Sequence, residues 1–89
     1  MKDDRGLYYY PNPQHKRVRM YVRLAADGQV EFRMFDADEP TVWERHGWMP
    51  MDAVRQAAAM YKASGRDVDP LALYDEAVAR AVLGEEGKL

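Results

Sequence analysis

The sequence predicts an α+β fold: an antiparallel β-hairpin of two or three strands packed against two C-terminal α-helices. Three observations carry this. Residues 17–24 and 29–35 alternate apolar and polar side chains with period two. A glycine-containing turn separates the two runs. From residue 51 onward the apolar spacing changes to that of helices. Eighty-nine residues are enough for a single small domain, residues 1–89.

In the first strand Val18, Met20, Val22 and Leu24 share one face and Arg17, Arg19, Tyr21 and Arg23 the other. In the second, Val30, Phe32 and Met34 oppose Glu31, Arg33 and Phe35. A two-residue Asp27-Gly28 turn would set Leu24 against Glu31, placing core side chains opposite surface ones, which a pleated sheet does not allow. A three-residue loop, Ala26-Asp27-Gly28 with Gly28 left-handed, pairs Leu24 with Val30, Val22 with Phe32 and Met20 with Met34.

Residues 1–6 are charged and expected to fray. Residues 7–10 read as a short strand, ended by Pro11-Asn12-Pro13. Residues 35–40 are a polar break, and residues 41–44 read as an optional third strand. Residues 51–64 read as a helix, with Pro50 at its first position and Gly65 at its stop. A second helix is expected from an Asp69 N-cap followed by Pro70, with Val68 and Leu73 as a hydrophobic staple. Its apolar face would be Leu71, Tyr74, Val78, Ala81 and Val82, and Gly84 would end it, leaving residues 85–89 frayed.

Composition excludes several classes of function. With no cysteine, neither a disulfide, a thiolate nucleophile nor a cysteine zinc site is available. Ser64 and Thr41 are the only hydroxyl residues of their types, and neither has a nucleophile motif around it. The glycines are scattered and form no phosphate-binding loop. His15 and His46 are far apart, and Asp36, Asp38 and Glu39 fall short of the ligand series a calcium loop needs. Neither an enzyme, a cofactor nor a metal is expected. The N-terminus has no signal-peptide run and no segment reaches the length of a membrane span, so the expectation is a cytoplasmic protein without membrane contact.

The net charge of -2 is unevenly distributed. Residues 1–35 carry seven Lys/Arg and four Asp/Glu, whereas residues 36–89 carry six and eleven. The basic part can attract the acidic part, a second copy or an external polyanion.

Two sets of residues stand out. Trp43, His46 and Trp48, together with Tyr8, Tyr9 and Tyr10, would form an aromatic contact for another protein or a second copy; the structural alternative is that the tryptophans fill the space between sheet and helices. Arg17, Arg19, Tyr21, Arg23, Arg33 and Phe35 interleave guanidinium groups and rings on the polar hairpin face, which suits nucleic acid. In the structural alternative that face satisfies itself: Arg23 with Glu31, Tyr21 with Arg33 and Arg19 with Phe35. The hairpin, the run Val54-Arg55-Gln56-Ala57, then Gly65 and Asp69-Pro70, resembles the small sheet-plus-helix DNA-binding domains at the N-terminus of phage-type integrases. The likeness spans residues 17–70 at most, and it implies DNA binding; the acidic balance departs from that family. The leading expectation is a non-catalytic interaction or regulatory module, with nucleic-acid binding through the arginine face as the alternative.

Overall fold

The computed structural model describes residues 1–65 and 72–89. Five antiparallel strands follow one another in chain order: β1 (Lys2–Asp3), β2 (Gly6–Tyr9), β3 (Val18–Leu24), β4 (Val30–Asp36) and β5 (Met49–Pro50). Helix α1 (Thr41–Arg45) lies between β4 and β5, and α2 (Met51–Ala63) and α3 (Glu76–Glu85) follow. The class is α+β, but the sheet is larger than the two or three strands expected, and one helix lies in mid-chain.

The central hairpin has the register the alternation demands. Val22 faces Phe32, Met20 faces Met34 and Leu24 faces Val30. Gly28 takes φ 87°, and the Ala25 N–H donates to the Gln29 carbonyl at 2.8 Å. Only glycine occupies that backbone region without strain.

Residues 1–6, expected to fray, instead contain β1, which pairs Lys2 with Leu7 and Asp3 with Gly6. The turn is held by the Arg5 N–H donating to Asp3 Oδ1 at 2.8 Å. Residues 41–44 are helical, not a third strand. Pro40 already has αR geometry (φ -59°, ψ -22°), and the Asp36 carboxylate accepts from the Asp38 N–H at 2.9 Å, so the chain curls before the β-branched pair Thr41-Val42 can extend. The added strand at this edge is β5, which pairs Met49 with Phe32 and Pro50 with Glu31.

Helix α2 matches its expected span, with Pro50 as the N-cap rather than the first helical residue. Asp69, Pro70, Val68 and Leu71 lie outside the described residues. The final α-helix starts later than those signals suggest: Asp75 is its N-cap, accepting from the Val78 N–H at 3.2 Å. Its buried face is Ala79, Val82 and Leu83, while Val78 and Ala81 are exposed. It runs through Gly84 to Glu85 and closes at Gly87 (φ 71°), where the Lys88 N–H reaches the Leu83 carbonyl at 2.9 Å. That reciprocal end of a helix is the Schellman arrangement, and it orders residues expected to fray.

Helices α2 and α3 cover one face of the sheet. The core there comprises Leu7, Tyr9, Met20, Val22, Val30 and Phe32 from the strands, Met51 and Val54 from α2, and Ala79, Val82 and Leu83 from α3. Among the described residues no helix is long and apolar enough to cross a membrane.

Candidate functional site

The arginine face of the hairpin is only partly open: Arg17 and Arg23 are exposed, Arg19, Arg33 and Phe35 are half-buried, and Tyr21 lies beneath them. Tyr21 is completely buried. Its ring lies 5.4 Å from that of Tyr8 and 5.3 Å from that of Trp43, which α1 lowers onto this face. Trp43 also meets the edges of Phe35 and Trp48, at 6.5 and 6.1 Å. The Tyr21 hydroxyl donates to the Asp3 carboxylate, which also receives Arg19 Nη1 at 2.7 Å.

These contacts set the charge state of Asp3. Partial burial works against its ionisation, but the hydrogen bonds from Tyr21 and the Arg5 amide and the charge of Arg19 outweigh it. The Asp3 carboxyl is held below its ordinary value. Burial, and then the hydrogen bond to Asp3, raise the Tyr21 hydroxyl above its own.

The remaining arginines are engaged as well. Arg33 lies 4.0 Å from the centre of the Trp43 ring and donates through Nε to the Trp43 carbonyl at 3.0 Å. Arg23 pairs with Glu31 at 2.6 Å and covers Trp48 at 4.3 Å. Arg19 lies over Tyr8, and Arg5 over Phe35 at 4.1 Å. Arg17 meets Asp38 at 2.7 Å in an exposed pair, of a kind that contributes little. Of the three cross-strand pairs expected, Arg23–Glu31 forms. Arg33 leaves Tyr21 for Trp43, and Arg19 leaves Phe35 for Asp3 and Tyr8. An indole is a better cation–π partner than a phenol, and a carboxylate is better than either.

The aromatic set is divided between places. Tyr9 points into the helix-side core, where its hydroxyl donates to the Leu73 carbonyl at 2.7 Å and accepts from the Asp75 N–H at 3.0 Å. It thereby fixes the approach to α3, and burial pushes its hydroxyl up to about 12. Tyr8 is buried on the opposite face, and Tyr10 stacks edge-on to it at 5.6 Å. Trp43 and Trp48 are half-buried. His46 is exposed at the end of α1, on the wall of a cleft of ≈ 240 Å³ between α1 and β4. Of the residues that carry the integrase likeness, Val54 is buried, Arg55 bonds Asp52 and Glu76, and Gly65 has φ 74°. Among the described residues, no cluster of three or more His, Asp and Glu side chains could hold a metal.

The surface is concave elsewhere. A groove of ≈ 830 Å³ lies at the end of the sheet, at the start of β2, the end of β3 and the C-terminus of α3. Leu7, Val22 and Leu83 close its floor, with half-buried Leu24 and Trp48 beside them. Lys2, Arg5, Arg23, Lys88 and Glu86 also line it. Of the residues singled out from sequence, Arg23 and Trp48 belong to this groove. The others were missed because they are scattered from residue 2 to residue 88 and meet only through the β1–β2 turn and the end of α3. The chain matches no protein-family model, and neither a characterised protein nor a solved structure matches it.

Proposed function

We propose that the chain is a small, non-catalytic interaction module that binds another protein through the groove at the end of its sheet. The observation that supports this reading is the groove itself. Its volume of ≈ 830 Å³ falls within the roughly 300–1,000 Å³ of ligand clefts. Leu24 and Trp48 remain only half-buried beside an apolar floor. A partner that covers them recovers about 25 cal/mol for each Å² of apolar surface removed from water.

The nucleic-acid alternative is less well supported. Base stacking needs open aromatic faces, and Tyr21 has none. Arg19, Arg23 and Arg33 already hold carboxylate, carbonyl or ring partners. Self-association through the tyrosines is weakened in the same way, because Tyr8 and Tyr9 are buried.

An unbiased library of displayed peptides, selected against the whole chain, tests the proposal. Selected peptides should shift the backbone amide resonances of Leu7, Val22, Leu24 and Leu83 in NMR titrations, and Leu24→Glu should abolish binding. A library that yields no binder, or binders that shift the outer-face residues Arg19 and Arg33 instead, would refute it.

A further inference from the structure

We infer that the groove accepts an extended, acidic peptide segment, laid against the open end of β3 as an added strand. This deepens the reading of the chain as a protein-interaction module and rests on it. The first observation is the strand edge. β2 pairs with β3 from Tyr9↔Met20 to Leu7↔Val22 and no further, because the chain turns at Asp4 and Arg5 into β1. The main-chain groups of Arg23 face Glu31 of β4, whereas Leu24, opposite Val30, turns its N–H and C=O to the side on which no strand is paired with it. An edge of this kind is a template for another chain. Strand addition draws affinity from main-chain bonds and specificity from pockets for alternate side chains.

The second observation is charge. Among the described residues, Lys2 and Lys88 join no ion pair, although both line the groove. Arg23 shares its charge with Glu31, and Glu86 is the one acid lining the groove. The free charge at the rim is thus positive, above a floor that is apolar. An extended peptide alternating acidic and apolar residues fits both, because successive side chains of a strand point to opposite sides. A nucleic acid would leave the apolar floor and the β3 main-chain edge unused, and would meet the excess negative charge of residues 36–89.

The probes are a short blocked peptide alternating Glu and Leu, its Gln/Leu counterpart, and a single-stranded oligothymidylate. Each is titrated into the full chain with NMR detection, at physiological and at raised salt. The Glu/Leu peptide should bind, shift the Leu24 amide, and exceed the Gln/Leu peptide by about tenfold in affinity at physiological salt. Replacing Lys2→Glu together with Lys88→Glu, both on exposed side chains, should erase that advantage. Equal affinity for the two peptides refutes acid selection while leaving the interaction module standing. Binding without a shift at Leu24 refutes strand addition. Tighter binding of the oligothymidylate than of either peptide overturns the inference and the interaction reading together.

Discussion

The two faces of the sheet are covered by different chemistry. On the helix side, mostly aliphatic and methionine side chains from β2, β3 and β4, with Tyr9 and Phe32 among them, meet α2 and α3, and Phe32, Met20, Val30, Val54 and Leu83 are fully buried. On the other side, one five-residue helix supplies Trp43, and the remaining cover is a lattice of tyrosines, arginines and Asp3. The largest fully buried side chain, Tyr21, belongs to this second face, although alternation assigns it to water. An apolar face gains stability simply by leaving water. A polar-aromatic face gains only if each hydroxyl and guanidinium finds a partner, and here the Tyr21 hydroxyl, Arg19 and Arg33 do. A tyrosine that alternation assigns to water can thus belong to a second, smaller core.

The largest effect expected is on the helix side. Phe32→Ala should cost about 3–5 kcal/mol, a large part of the total stability of a domain this small, and denaturant titration should find it largely unfolded. Trp43→Ala strikes the opposite face. It removes the ring that carries Arg33, Tyr21, Phe35 and Trp48; because Trp43 is only half-buried, the expected loss is smaller, about 1–3 kcal/mol. A zero effect would mean that α1 does not cover the sheet, and a loss as large as that of Phe32→Ala would mean that the two faces are equivalent. Asp75→Ala tests the helix start at about 0.5–2 kcal/mol; an unchanged unfolding midpoint would place the cap elsewhere.

The smallest effect is the pH dependence of Asp3. Its folded pKa lies below the ordinary value, so its contribution to stability is present above the unfolded pKa and is lost as pH falls through the folded one. Wild type should therefore lose more stability than Asp3→Asn when thermal melts are compared between neutral pH and about pH 3. Parallel pH profiles would show that the contact of Asp3 with Tyr21 and Arg19 is not maintained in solution.

What was legible in the sequence is what local rules govern. The Val22–Phe32 register follows from matching two alternating strands across a three-residue loop, and the extent of α2 follows from Pro50, Gly65 and the spacing between them. What was not legible depends on distant partners. β1 is two polar residues with no pattern of their own; Asp3 earns its place through Tyr21 and Arg19, sixteen or more positions away. α1 resembles a strand because Thr41 and Val42 are β-branched, and its fate is decided by Pro40 and by where Trp43 can be buried. Tyr9 fixes the entry to α3 across sixty-odd residues, a contact no local signal announces. The groove is assembled from residues 2–7, 22–24, 48 and 83–88, so Lys2 and Lys88 could not be associated before the fold was known.

Tyr21, at the centre of the arginine-bearing face of the hairpin, is covered by Trp43 and Tyr8. The most direct test is a nuclear Overhauser measurement on the free protein, read at the rings of Tyr21 and Trp43, whose centres are 5.3 Å apart. Ring-to-ring cross-peaks are expected between Tyr21 and both Trp43 and Tyr8, with Tyr21 shielded from a soluble paramagnetic agent. Absence of those cross-peaks, with Tyr21 relaxed by the agent as strongly as an exposed tyrosine, would contradict that cover and restore the arginine face as an open surface.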